Sequence, residues 1–210
     1  MKKYILFDND GVLVETEMWY YRASAEILKT MGIIMDDVAY REIMINGLSS
    51  FVLAERAGYD TARIKKAREK RDILYQKYLK SENIAINGVE EILRELKQKY
   101  QMGIVTTSRR VDFELIHYKR GIVDYMDFAL CVEDYPRAKP YPDPYLRGLE
   151  KFKSSKEDTI VVEDSQRGLR SAVAAGIECV IVKNDFTSLH DFSTATHRID
   201  SLSELEKLLG

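Results

Sequence analysis

The stretch Lys3-Tyr-Ile-Leu-Phe-Asp-Asn-Asp-Gly-Val-Leu13 changes from apolar to acidic within a few residues. Its apolar part, residues 4–7, has no polar alternation and predicts a short strand buried on both faces. Asp8 and Asp10 follow directly, and carboxylates at i and i+2 lie on the same side of an extended chain. Two like charges beside a buried strand repel each other, which favours a bound divalent cation with a phosphate. The alternative is that both aspartates only cap a turn.

The composition is that of a soluble globular protein, because 45% of the 210 residues are hydrophobic and 31% are charged. The formal net charge of -2 gives no basic field, so we expect no nucleic-acid partner. No apolar segment is long enough for a membrane span or a signal peptide, so we expect no membrane partner. Cys131 and Cys179 lie in apolar runs typical of reduced core thiols. These features together predict a cytoplasmic protein.

The hydrophobic periodicity divides the chain into a helical segment and a mixed segment. Between residues 15 and 85 it predicts only helices, at 16–32, 38–45, 50–57 and 61–80. From residue 86 onward, helices alternate with buried strands, which we predict at 102–107, 128–132, 159–162 and 179–182. Such alternation implies parallel crossovers. We therefore predict an α/β fold with a Rossmann-like three-layer α/β/α core and a parallel sheet, formed by residues 1–14 and 86–210. Residues 15–85 form an inserted α-helical domain.

Ligands of an open parallel sheet gather at the carboxyl ends of its strands, and the residues there carry a pattern. The predicted second strand ends in Thr106-Thr107-Ser108, whose hydroxyls and backbone N–H groups suit an anionic oxygen. Lys139 follows in a proline-rich run, and the strand at 159–162 ends in a second acidic pair, Glu163-Asp164. Each feature alone has an ordinary alternative, a helix cap or a solvated lysine. In this order they indicate one site with an anionic nucleophile, phosphate-binding donors and a Mg²⁺ cage.

These motifs resemble those of the haloacid dehalogenase superfamily, in the helical-cap branch that includes phosphoglycolate phosphatase and β-phosphoglucomutase. Phe-Asp8-Asn-Asp10-Gly-Val-Leu resembles the first family motif, Ile-Val-Thr106 the second, Lys139-Pro the third and Val-Val-Glu163-Asp164-Ser the fourth. The four motifs occur in the family order and span nearly the whole chain. The resemblance implies that residues 1–14 and 86–210 form the catalytic core and that residues 15–85 form the cap.

The resemblance also implies a mechanism. Asp8 would be the nucleophile that forms an aspartyl-phosphate, and Asp10 the general acid and base. Thr106, Thr107, Ser108 and Lys139 would bind the phosphate. Mg²⁺ would be held by Asp8, by Asp164 and by the main-chain carbonyl of Asp10, with Glu163 as a ligand through water or as a partner of the ligands. Asp10 argues against dehalogenation, since expelling a halide needs no general acid.

The expected function is hydrolysis of a small phosphorylated metabolite, and the substrate that we expect is a sugar phosphate. The alternatives are a β-phosphoglucomutase-like mutase and a non-catalytic protein that binds a phosphorylated ligand. Two departures from the mutases, Tyr20 in place of a histidine and no arginine near Ser50, favour hydrolysis. Asn9 is a further departure, because the family usually has an apolar residue there. We expect a monomer, with a dimer as the alternative, and assign substrate specificity to Glu17, Tyr20, Ser49 and Arg109.

Overall fold

A computed structural model describes residues 2–210, which divide into two compact units. The larger unit combines the chain up to Glu15 with Ala85–Gly210, and the smaller unit is Thr16–Ile84. The smaller unit is helical, with α1 (Glu17–Thr30), α2 (Asp37–Ile45), α3 (Val52–Arg56) and α4 (Thr61–Ser81). Asp36 and Asp60 are the N-cap residues of α2 and α4, and their carboxylates accept hydrogen bonds from backbone N–H groups of the first turn.

The larger unit is built on a six-stranded parallel sheet in the order β3-β2-β1-β4-β5-β6. Its strands are β1 (Tyr4–Phe7), β2 (Gln101–Val105), β3 (Phe128–Leu130), β4 (Thr159–Glu163), β5 (Glu178–Val182) and β6 (His197–Ile199). Its helices are α5 (Val89–Leu96), α6 (Arg110–His117), α7 (Asp143–Phe152), α8 (Gln166–Ala175) and α9 (Leu205–Leu209). The predicted α/β class with a parallel sheet is confirmed.

The first strand lies in the middle of this sheet because it is apolar on both faces. Ile5, Leu6 and Phe7 are all completely buried. The strand pairs on one side with β2, where Phe7 is opposite Ile104, and on the other with β4, where Phe7 is opposite Val162. The chain therefore continues from β1 to one side and later to the other, which opens a crevice at the carboxyl end of β1.

Two strands end earlier than the sequence predicts, for local reasons. After β2, the N–H of Ser108 donates a hydrogen bond to Thr106 Oγ1 at 3.0 Å, which turns the backbone out of the sheet. After β3, the Asp134 carboxylate accepts from the N–H of Cys131 at 2.8 Å and stabilises a short 3₁₀ helix, Val132–Asp134. The edge strand β6 was not predicted, because only three residues form it and two of them are exposed. Within the described residues, no helix is long and apolar enough to span a membrane.

Candidate active site

The carboxyl ends of β1, β2 and β4 bring the predicted site residues of the larger unit to one edge of the sheet. Asp8 follows β1 and Thr106 follows β2, while Glu163 ends β4 and Asp164 comes next. Since β1 is flanked by β2 and β4, the three strand ends are neighbours. The acidic pairs and the hydroxyl run therefore belong to one site.

The ammonium group of Lys139 lies at the centre of this site. Its Nζ donates to Asp8 Oδ1 at 2.7 Å, to Glu163 Oε1 at 2.6 Å and to the carbonyl oxygen of Val105 at 2.8 Å. The lysine is 5% exposed, so all three of its donors are used inside the protein. Burial alone would lower the pKa of Lys139, but the two carboxylates outweigh burial and raise it. The lysine is a fixed positive charge at the site.

Asp8 shares this lysine with a second carboxylate, and its charge is only partly compensated. Burial raises the pKa of Asp8 to about 7, and the nearby charges of Glu163 and Asp10 raise it further than Lys139 lowers it. Burial acts in the same direction on Glu163, but Lys139 together with hydrogen bonds from Tyr145 and Ser165 outweighs burial and lowers the pKa of Glu163. In the protein alone, Lys139 thus compensates the charge of Asp8 less fully than the charge of Glu163.

Glu163 is held by more donors than Lys139 alone. Tyr145, which is completely buried, donates its hydroxyl to Glu163 Oε1 at 2.7 Å. Glu163 Oε2 accepts from the N–H groups of Asp164 and Ser165 and from Ser165 Oγ, at 3.1–3.3 Å. Both carboxylate oxygens therefore have protein donors, and the clearest role of Glu163 here is to hold Lys139. Sequence reasoning missed Tyr145, because a tyrosine inside an amphipathic helix looks like any core residue.

Three carboxylates form a group that suits a hard divalent cation. Asp8, Glu163 and Asp164 are all buried, and each offers an oxygen within 4.8 Å of the others. Gly11 makes room for this group: its φ is +83°, and a Cβ at this position would lie 2.1 Å from Asp164 Oδ2. A buried excess of negative charge on oxygen ligands is the environment that Mg²⁺ prefers. The residues fit the predicted metal.

Asp10 is oriented by hydroxyl donors. Its Oδ2 accepts from Ser108 Oγ at 2.8 Å and from Thr106 Oγ1 at 3.1 Å. Thr107, the middle residue of the predicted phosphate-binding run, instead accepts from Arg167 Nη2 at 3.3 Å. In this structure, two of the three hydroxyls therefore hold the predicted general acid and base, a contact that sequence spacing did not indicate.

Comparison with known proteins identifies the family of this site. A sequence model of the haloacid dehalogenase-like hydrolases matches residues 5–182, a range that includes all the site residues described in this subsection. The chain belongs to this family. Protein CbbY of Cereibacter sphaeroides is 28% identical, over 98% of this chain and 95% of its own length. A phosphorylated carbohydrates phosphatase of Thermotoga maritima is 29% identical, over 83% of this chain and 82% of its own length.

A solved structure shows the same fold. The crystal structure of a CbbY variant from Rhodobacter sphaeroides, in complex with xylulose-(1,5)bisphosphate, superposes with a TM-score of 0.83 at 24% identity. The match covers 98% of this hydrolase and 96% of the other chain. The resemblance found in the sequence is thereby confirmed at the level of family and fold.

A buried histidine of the hydrolase joins the site without having been predicted. His117, at the end of α6, has its Nε2 2.8 Å from Asn9 Oδ1, and Asn9 Nδ2 lies 3.4 Å from Asp10 Oδ2. Asn9 is completely buried and His117 nearly so. Sequence spacing indicates no partner for His117, because 108 residues separate it from Asn9. The only available signal was the polar residue at position 9.

The four residues predicted to set specificity occur in both units. Arg109 lies in the larger unit, where its Nη2 pairs with the buried Asp112 carboxylate at 2.7 Å. In the helical unit, Glu17 accepts a hydrogen bond from Tyr40, and Ser49 Oγ accepts from the N–H of Phe51 at 3.3 Å. The ring of Tyr20 packs edge-on against Tyr75, 5.2 Å between centroids, and beneath the guanidinium of Arg71 at 4.3 Å. Their assignment to specificity stays a prediction.

Proposed function

We propose that this hydrolase is a Mg²⁺-dependent phosphatase that cleaves a small phosphorylated metabolite, a sugar phosphate, through an aspartyl-phosphate on Asp8. The observation that carries the proposal is the contact of Asp8 with Lys139, 2.7 Å, inside a group of three buried carboxylates. A nucleophilic carboxylate, a fixed cation and a set of oxygen ligands at one strand end are the parts that phosphoryl transfer to a carboxylate requires.

Asp8 attacks phosphorus, and the attack brings one anion against another. Lys139 reduces this repulsion, because it is held by Asp8 Oδ1 and Glu163 Oε1 and needs no reorganisation when the substrate arrives. The backbone N–H groups after β2 are the other donors available to the phosphate oxygens. Thr107 supplies one at the start of the turn that leads into α6, whereas the N–H of Ser108 already donates to Thr106 Oγ1.

Asp10 transfers protons in both halves of the reaction. It gives a proton to the leaving alcohol when Asp8 is phosphorylated, and then removes one from the water that hydrolyses the aspartyl-phosphate. Its Oδ2 is fixed by Ser108 and Thr106 in the structure, so the carboxylate is oriented before the substrate binds. Ordered orientation of a general acid is one way in which an enzyme avoids reorganisation at the transition state.

The metal would be bound by Asp8, by Asp164 and by the main-chain carbonyl of Asp10, and Glu163 would be a partner of these ligands. When bound, Mg²⁺ supplies positive charge that neutralises the phosphoryl oxygens. Glu163 contributes indirectly, since its two oxygens already accept from Lys139, Tyr145 and three groups of residues 164–165. The helical unit would act as a cap that excludes water and selects the substrate through Glu17, Tyr20 and Ser49, and Arg109 would contribute from the core.

The substrate class is supported by the name of one relative. The Thermotoga maritima phosphatase that is 29% identical to this chain acts, by its name, on phosphorylated carbohydrates.

A phosphate-release screen tests the proposal. The purified enzyme is incubated with sugar phosphates and other phosphorylated metabolites, with and without Mg²⁺, and the Asp8→Asn variant serves as the blank. We expect Mg²⁺-dependent release only from the wild type, and a mass increase of one phosphoryl group on the acid-quenched peptide that contains Asp8. Release equal to the blank for every substrate would refute the phosphatase. Conversion of glucose 1-phosphate to glucose 6-phosphate without net release would support the mutase instead.

A further inference from the structure

A hydrogen-bonded chain connects the interior of the α/β unit to the proposed general acid. It begins at His117, which is 7% exposed, and passes through the completely buried amide of Asn9 to Asp10 Oδ2. The His117 to Asn9 contact is short, 2.8 Å, and the Asn9 to Asp10 contact is long, 3.4 Å. A polar pair in a core must be satisfied internally, so these contacts have to be explained.

The protonation of His117 fixes the orientation of the amide. Burial lowers the pKa of His117 to about 4, so at neutral pH the ring is neutral and carries a single N–H. Nδ1 is buried and has no hydrogen-bond partner among the described residues. If Nδ1 carried the proton, a buried donor would be unpaired and Nε2 would face Asn9 Oδ1 lone pair to lone pair. The proton is therefore on Nε2, which donates to Asn9 Oδ1 and leaves Asn9 Nδ2 directed at Asp10.

Three donors consequently meet one oxygen of Asp10. Ser108 Oγ, Thr106 Oγ1 and Asn9 Nδ2 all point at Oδ2, at 2.8, 3.1 and 3.4 Å. An oxygen that accepts three hydrogen bonds is the worse place for a proton, since each donor would have to be displaced or turned away. A proton that Asp10 transfers in the proposed reaction would therefore be carried on Oδ1.

We propose that His117, through Asn9, is a positioning residue that fixes the carboxylate of Asp10 so that Oδ1 delivers the proton to the leaving alcohol. The inference rests on the proposed phosphatase function and adds to it a pair of residues outside the predicted set. His117 touches neither substrate nor reacting atoms, and it acts only by holding the Asn9 amide in one orientation. The competing explanation is structural: the pair merely satisfies two buried polar groups.

The dependence of kcat/KM on the leaving group distinguishes a positioning role of His117 and Asn9 from a purely structural role. A sugar alkoxide is a poor leaving group and needs a proton from Asp10, whereas p-nitrophenolate leaves as a stable anion. The value of kcat/KM includes only steps up to phosphorylation of Asp8, so the later hydrolysis of the intermediate does not mask the difference. Misplacing the general acid should therefore lower kcat/KM for a sugar phosphate and affect p-nitrophenyl phosphate much less. A general loss of folding would lower both equally.

The variants are Asn9→Leu, His117→Phe, the double variant and His117→Gln. For the sugar phosphate hydrolysed fastest in the release screen, Asn9→Leu should lower kcat/KM about tenfold, a part of the roughly 10²- to 10⁴-fold effect of a general acid. For p-nitrophenyl phosphate the loss should stay below about threefold, by the same argument. His117→Phe should show the same selective loss, and the double variant should lose no more than Asn9→Leu, because His117 acts through Asn9. His117→Gln keeps a side-chain N–H donor and should recover part of the loss.

The matched control is His197→Phe, which makes the same substitution at an exposed histidine of β6 and should leave both substrates unaffected. Equal losses on both substrates in Asn9→Leu, or an additive loss in the double variant, would overturn the inference while wild-type activity leaves the phosphatase proposal standing. A wild type that releases phosphate from no ester would instead refute the proposed function itself. Thermal unfolding of each variant identifies any that do not fold, and His117→Gln then carries the test.

Discussion

Replacing Lys139 by methionine tests the electrostatic design of the site. The substitution keeps the length of the side chain and removes the ammonium group, which is 2.7 Å from Asp8 Oδ1 and 2.6 Å from Glu163 Oε1. Both carboxylates stay buried, and Asp8 loses its only counter-charge among the described ion pairs. Glu163 keeps the hydroxyl of Tyr145 and the donors of residues 164–165. The loss of stability on substitution therefore comes mainly from the unpaired charge of Asp8.

The magnitude follows from the two contacts and from the proton that Asp8 can accept. Each contact is worth roughly 6 kcal/mol at an effective dielectric constant of about 20, but the buried lysine also had to be desolvated. The net loss on removing one partner of a buried pair is about 3–5 kcal/mol. The pKa of Asp8 is raised to about 7 with Lys139 in place, and removing the lysine raises it further, so the variant can neutralise Asp8 at little cost at pH 6. Each pH unit above 7 adds up to about 1.4 kcal/mol to the loss of unfolding free energy. We therefore expect a loss near the low end of this range at pH 6 and near its high end at pH 8.

Thermal unfolding of the metal-free protein in a chelator measures this effect. For a chain of this size about 1 kcal/mol lowers Tm by about 2–4 °C, so Lys139→Met should unfold about 6–12 °C earlier at pH 6, and earlier still at pH 8. The control is Lys183→Met, which removes an exposed ion pair with Asp200. Such surface pairs contribute about 0–1 kcal/mol. If both variants lose the same small amount at pH 8, the buried lysine does not stabilise its carboxylates as argued.

Three further substitutions probe the neighbouring residues. Gly11→Ala should lower Mg²⁺-dependent phosphate release at least about tenfold, because its Cβ would occupy the place of a ligand oxygen. The control is Gly88→Ala, which has nearly the same φ and whose Cβ meets nothing within 4 Å. It should show only the backbone cost, about 1 kcal/mol in denaturant unfolding. Tyr145→Phe removes a donor to the buried Glu163 carboxylate and should lower the free energy of unfolding by about 1–3 kcal/mol. An unchanged free energy of unfolding would show that this hydrogen bond is dispensable. The raised pKa of Asp8 stabilises the metal-free fold fully below pH 3.8 and less as pH rises toward 7. The stability of the wild type relative to Asp8→Asn should therefore fall between pH 5 and 7 by up to about 1.4 kcal/mol per unit, and a constant difference would contradict the assignment.

The fold was predictable where sequence and burial agree over a whole element. Residues 4–7 are uniformly apolar, and the structure places them in the centre of the sheet with three of the four completely buried. The acidic and hydroxyl residues that follow the strands were predictable for a related reason. Polar residues placed directly after apolar strands have to lie at the carboxyl edge of a parallel sheet. The three-residue strand β6 gave no such signal, because a pattern of two exposed residues and one buried residue has no period.

Contacts between side chains from distant elements were not predictable, even where the sequence indicated that a residue would require a hydrogen-bond partner. A buried amide needs internal partners, so the polar residue at position 9, just after an apolar strand, implied that some polar group would meet it. The sequence does not say which, since any polar residue on an adjacent helix satisfies the requirement. The choice follows from α6, which begins at Arg110 just after the turn that ends β2 and places His117 at its other end. Because that turn is also the one that places Thr106 and Ser108 on Asp10, one connection supplies both the direct and the indirect support of the same carboxylate. A variant in this connection that displaces Thr106 should therefore displace His117 as well, and the two effects on Asp10 should not be additive.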